Sequence, residues 1–321
     1  MSFFRKTLYS VVIGIICSGS AMAAFPERPI RWVVPNPAGG GADTNVRLIA
    51  RTLEPLLGQT LVIENRPGAG TIVGADAVAK SASDGYTWLT GDIGTFATNP
   101  SLFKKLPYNP SKDFKYVSLT TRYPLIVAAR KDFPANNMRE LIEYVKKNPG
   151  KVNFGTAGFG FPHHLALELL MEKTGTDFVH VPFTGSLAAL QNMLNGEIDV
   201  MFLDVASGMQ FIQKGDVKSF GIATSKRFDA TPDIPTLKEQ GLDFEFDLWQ
   251  GIAVPAGTSP QVVDQLSRAI KVAFSDPKLK EAMLQRGAEA VGSSPEEFSA
   301  YVEKERAHWA RLIKDRGIEL K

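Results

Sequence analysis

Short apolar runs alternate along this chain with stretches whose apolar residues recur at helical spacing, and loops of small residues join the two. Ile30, Arg31, Trp32, Val33 and Val34 form the first strand-like run. It enters the loop Pro35-Asn36-Pro37-Ala38-Gly39-Gly40-Gly41-Ala42-Asp43. Beyond it, Val46, Leu48, Ile49, Leu53 and Leu56 carry a helical period from near Thr44 to the stop signals Pro55 and Gly58. The same order returns at Phe154-Gly155-Thr156-Ala157-Gly158-Phe159-Gly160-Phe161-Pro162-His163-His164, which leads into a helix over 165–173. Further strands are expected at 61–63, 86–90, 178–183, 200–203 and 218–223. Asn137 with Glu140, Ser259 with Pro260, and Ser294-Pro295-Glu296-Glu297 mark helix starts. The last two open the two helices expected to finish the chain.

Strands alternating with helices predict an α/β fold with a largely parallel sheet. Residues 114–130 read as a strand interrupted at Tyr123-Pro124, and 248–254 read as a return crossing. The alternation restarts after Arg122. The expected architecture is therefore two βα lobes. Residues 24–122 with 252–321 form a discontinuous first domain, and 123–251 form the second. Ligands of such sheets collect beyond the carboxyl ends of the strands.

The two glycine loops sit at such ends. Their backbone N–H groups are uncovered by side chains, and each precedes a helix N-terminus, so both loops attract anions. Neither ends in the Lys-Ser/Thr pair of a nucleotide P-loop. A third loop of small and polar residues, Gly91-Asp92-Ile93-Gly94-Thr95, leaves the strand over 86–90. Asp43 is expected to cap the first helix. Phe159 and Phe161 lie between glycines with no periodic buried face, which makes them candidate walls of a cleft.

Residues 1–23 carry the pattern of an export signal: Arg5 and Lys6, an apolar run from Leu8 to Ile16, and Ala21-Met22-Ala23. The run is too short to span a bilayer. Cys17, the single cysteine, falls inside this signal segment, so the mature chain is expected to offer no thiol nucleophile or thiolate metal site. Removing Arg5 and Lys6 from the 36 basic residues leaves 34, equal to the 34 acidic ones. A neutral chain without basic clusters argues against nucleic acid or an anionic membrane as partner.

Other motifs weigh less. Gly68-x-Gly70-x3-Gly74, with Asp92 beyond it, has a dinucleotide-like spacing, but Asn65-Arg66-Pro67 separates it from the preceding strand. His163 and His164 are adjacent and cannot share one helix face, which disfavours a metal site. Ser186 lacks the G-x-S-x-G elbow of a hydrolase. No catalytic, metal or cofactor residues are assigned.

A longer series of segments is similar to one family. These are Phe25-Pro26-Glu27-Arg28-Pro29-Ile30, Pro37-x-Gly39-Gly40-x-x-Asp43, Glu64-Asn65-Arg66-Pro67-Gly68-Ala69-Gly70, Asp84-Gly85-Tyr86-Thr87 and His164-Leu165-Ala166. They continue with Val181-Pro182-Phe183-x-Gly185-Ser186, Gly196-Glu197-Ile198-Asp199-Val200-Met201-Phe202, Val254-Pro255-Ala256-Gly257-Thr258 and Pro295-Glu296-Glu297-Phe298. The chain resembles, over 25–321, the periplasmic solute-binding proteins of tripartite tricarboxylate transporters, the Bug-type receptors. The resemblance implies a two-lobed, type II Venus-flytrap fold, a periplasmic location and no enzymatic activity. It further implies a monomer that passes a small carboxylate to membrane permease subunits. By the same resemblance the ligand contacts are Ala38, Gly39, Gly40, Gly41, Ala42, Asp43, Gly94, Thr95, Thr156, Ala157, Phe159, Gly160, Phe161, His164, Thr184 and Asp204. Phe161 and Pro162 replace small hydroxyl residues frequent in the family, which favours an aromatic, terephthalate-like or extended apolar acid over citrate. A ligand sensor for a membrane kinase and an exported α/β hydrolase are the alternatives.

Overall fold

The computed structural model describes residues 25–320, and the expected export signal lies outside the described residues. The first half runs β1 (Ile30–Val34), α1 (Gly41–Leu57), β2 (Leu61–Asn65), α2 (Ile72–Ala79), β3 (Thr87–Asp92), α3 (Asn99–Leu102), α4 (Pro110–Asp113) and β4 (Phe114–Arg130). It continues through α5 (Met138–Lys147), β5 (Asn153–Thr156), α6 (Pro162–Thr174), β6 (Val179–Pro182), α7 (Ser186–Leu194), β7 (Val200–Asp204), α8 (Val205–Gln213) and β8 (Val217–Ile222). β9 (Asp247–Pro255), α9 (Pro260–Ala273), α10 (Pro277–Leu284), β10 (Glu289–Ala290) and α11 (Pro295–Arg316) complete it.

Local chemistry accounts for most boundaries. The Asn137 side chain accepts the Glu140 N–H at the start of α5, and Ser294 with Glu297 forms a reciprocal capping box on α11. α1 passes Pro55 and ends where Gly58 turns left-handed, with φ of 67°. Three helices rather than two close the chain, because Asp276 caps α10 through the Lys278 N–H.

β4 is the spine. Its first part pairs antiparallel with β9, from Phe114 opposite Pro255 to Pro124 opposite Asp247. Its second part pairs with β7 and β8, starting at Leu125 opposite Asp204 and Ile126 opposite Ile222. The expected interruption at Tyr123-Pro124 is thus a change of partners within one continuous strand. β1, β2 and β3 extend the β9 side as a parallel set, and β5 and β6 extend the β7 side. β3 runs with β4 whereas β7 runs against it, so the carboxyl ends of the two parallel sets point toward each other across the crossing.

One apolar cluster runs through both halves. Phe96, Trp249 and Phe298 lie at one end, Phe154, Leu165 and Phe202 at the other, with Trp309 of α11 between. α11 buries Phe298, Val302, Trp309, Leu312 and Ile313. Its outer side holds α6 through Arg311 to Glu172 (3.4 Å) and Arg316 to Glu168 (3.2 Å).

Candidate ligand cleft

The first loop is built around a buried acid. α1 begins at Gly41, three residues before the expected start, with Gly40 as its N-cap. Asp43 therefore sits in the first turn rather than at the cap. Its carboxylate accepts the Gly39 N–H (2.8 Å), Arg47 Nε (2.9 Å) and Asn65 Nδ2 (2.9 Å). Burial would raise this acid, but the bonds from Arg47, Gly39 and Asn65 outweigh it and hold the group below the usual carboxylate range. The Gly39 amide is thereby spent, and at φ of +79° its backbone suits glycine. The amides of Gly41, Ala42 and Asp43 remain as the first donors of the helix, with no earlier turn to bond to. Ala38 and Gly40 frame them on the exposed side of the loop.

At the third loop, Gly94 opens a single π-helical turn. Thr95 is fully buried, with its hydroxyl within 2.8 Å of Asp92 and 2.9 Å of Thr71. Its side chain supports β3 instead of facing the other lobe. Beside it, on the same rim, lies a polar network that the sequence reading missed. Asn45 Nδ2 donates to Tyr123 Oη (3.2 Å), which donates to Gln250 Oε1 (2.7 Å). The available signal was a polar residue within the apolar stripe of α1, one turn past Gly41.

The facing rim gathers Thr156, Thr184 and Asp204 at the carboxyl ends of β5, β6 and β7. Thr156 is buried, and its hydroxyl meets His180 Nε2 at 2.6 Å. Ala157 is half-buried and Gly160 buried. The Gly160 N–H donates to His164 Nδ1 (3.1 Å), and Pro162 has no N–H, so this loop offers fewer free amides than its glycines imply. His164 stacks on His180 with ring centroids 4.0 Å apart, and Phe159 lies 4.7 Å from His164. Burial, then the neighbouring His164, pushes His180 down to about 4, so its ring is neutral at physiological pH. Phe159 is 46% exposed and Phe161 49% exposed, unlike the core residues Phe96, Phe202 and Trp249. Thr184 is exposed ahead of α7.

Over residues 45–318 the chain matches the family model described as tripartite tricarboxylate transporter family receptor. The chain belongs to this family. Protein BugT of Bordetella pertussis is 33% identical over 325 residues, spanning 99% of this chain and 100% of that protein. The solved structure of R. palustris Rpa4515 with adipate has a TM-score of 0.81 at 30% identity, covering 92% of this chain and all of that one. MatC (Rpa3494) from Rhodopseudomonas palustris, with bound malate, has a TM-score of 0.76 at 34% identity, covering 90% of this chain and all of that one. The fold is thus that of a two-lobed periplasmic binding protein, and the chain is a Bug-type solute-binding receptor rather than an enzyme.

Ser186, His163 and Asp204 lie together but not as a catalytic triad. His163 Nε2 faces both Ser186 Oγ (3.4 Å) and Asp204 Oδ1 (3.4 Å), whereas a catalytic base needs a different ring nitrogen for each partner. Burial would raise Asp204, but the His163 charge and the bonds from His163 and Ser186 keep it below the usual range. Among the described residues no three His, Cys, Asp or Glu side chains converge as a metal site. No helix of the described residues is long and apolar enough to cross a membrane. A separate cavity of about 870 Å³ borders the crossing, lined by Arg122, Phe246, Asp247, Tyr301 and Glu305 among others. It touches neither glycine loop, and strand-end topology favours the loops as the ligand site.

Proposed function

We propose that this receptor binds a small carboxylate between two lobes, with the acid group on the first glycine loop and the remainder against Phe159 and Phe161. It then delivers the ligand from the periplasm to the membrane subunits of a tripartite transporter. The observations that support this reading are the first-turn amides of α1 and the exposed Gly-Phe-Gly-Phe loop, each at the carboxyl end of one of the two parallel strand sets. Adipate and malate in Rpa4515 and MatC support the carboxylate class. The change of β4 partners supports lobe borders after Arg122 and before Ile252, and the sequence of residues 1–23 supports export.

Neutral donors suffice for the acid group. A hydrogen bond to a carboxylate contributes roughly 1.5–3 kcal/mol, and three or four of them, less the cost of association, give a Kd on the order of micromolar. A thermal-shift and calorimetry panel of mono- and dicarboxylates, including phthalate-type acids, tests the reading. Phe159→Ala and Phe161→Ala should weaken an aromatic acid at least several-fold more than a short aliphatic diacid. Equal losses for both acids would dismiss the aromatic wall. A panel with no carboxylate binding at all would dismiss the ligand class.

A further inference from the structure

Asn45 is 2% exposed, yet its Oδ1 has no hydrogen-bond partner among the described residues. The rest of its amide is committed, because Nδ2 donates to Tyr123 Oη, and Tyr123 in turn donates to Gln250 Oε1. Gln250 lies opposite Asp92 and Thr121 in the sheet, and Tyr123 is the residue at which β4 leaves the first lobe. The network therefore lies on the floor of the cleft. Asn45 follows Gly41 by four residues, so the two share one face of α1, and helical side chains lean back toward the N-terminus. The Asn45 head thus lies directly below the first free amides of the helix. A buried amide oxygen without a donor is costly, and a bound group carrying N–H or O–H would relieve it.

We infer that Asn45, held by Tyr123 and Gln250, is a specificity-determining residue that accepts a hydrogen bond from a hydroxyl or ammonium group on the carbon next to the ligand's carboxylate. This rests on the reading that the α1 amides hold that carboxylate. The rise of one helical turn is about 5.4 Å, and the side chain's backward lean shortens the remaining reach to a substituent on the adjacent carbon. A donor farther along the ligand would pass beyond Asn45 toward the facing lobe.

The test uses acids that differ only at that carbon: succinate against malate and aspartate, adipate against 2-hydroxyadipate, and phenylacetate against mandelate. Calorimetry on the mature receptor ranks each set, and the skeleton bound tightest decides. The substituted acid, as hydroxyl or as ammonium, should bind about tenfold or more tightly than its parent, since the parent leaves Asn45 unpaired. In Asn45→Leu that ratio should fall toward one, while the parent acid keeps most of its affinity. Tyr123→Phe, which frees the Asn45 amide to rotate, should lower the ratio partway and carries the test should Asn45→Leu not fold. Equal affinities for parent and substituted acids in the wild type, or a ratio unchanged in the variants, would overturn the inference while leaving carboxylate binding intact. Absence of binding by every acid would remove the carboxylate reading and this inference with it.

Discussion

Asp43 shows how one side chain can shape a loop it does not cap. It ties Gly39, Arg47 and Asn65 together, drawing the loop, the helix and the end of β2 to one carboxylate. Asp43→Asn keeps the shape but loses the charge that holds Arg47 and the Gly39 amide. Ligand affinity should drop about tenfold by calorimetry, with a smaller fall in Tm, because the core beneath the loop is untouched. Asp247 makes a pH-dependent contribution at the same scale. Burial raises it to about 7, Arg122 opposes the rise from 3.6 Å, and Glu305 and Glu289 reinforce it. The folded state thus holds a proton between the ordinary value of 3.8 and about 7 that the unfolded chain has released, so stability falls as pH rises through that window. Asp247→Asn stays neutral. The Tm of the wild type relative to this variant should therefore fall between pH 5.5 and pH 8, by an amount worth up to a few kcal/mol. A difference independent of pH would show that Asp247 is ionised throughout.

At the scale of elements, helix starts carried the clearest message. Ser294-Pro295-Glu296-Glu297 and Asn137 with Glu140 form the caps that their spacing implies, since a side chain three residues from its target needs no tertiary help. Ser294→Ala should cost about 1 kcal/mol in urea unfolding. Because α11 fastens Phe298 and Trp309 into the shared core, the whole transition should shift without losing cooperativity. Some elements escaped because their signals were weaker than their contacts. α10 is short, and the strand over β4 hides a change of partners that no local pattern records. The loop elements misled in another way. Glycines at 39 and 160 announced uncovered amides, but Asp43 and His164 consume both of them.

For the whole molecule, two halves meet at β4 and β9. α11 spans them on one side, and Leu320 reaches from beside Leu102 to stand 2.8 Å from where a Cβ on Gly160 would lie. A ligand touching both rims favours the closed arrangement in proportion to the contacts it gains there. Small-angle scattering should therefore show a smaller radius of gyration at saturating ligand, and an unchanged envelope would contradict a clamshell. The α/β class, the glycine loops and the family resemblance were all legible in the chain, because each depends on residues close in sequence or on segments in a fixed order. The cleft floor was not. Asn45, Tyr123 and Gln250 are separated by 78 and 127 residues along the two hydrogen bonds that join them. Which amides stay free, which aromatics stay exposed and which polar atom lacks a partner were decided by packing between distant strands, because burial and partner choice depend on neighbours far away in the chain.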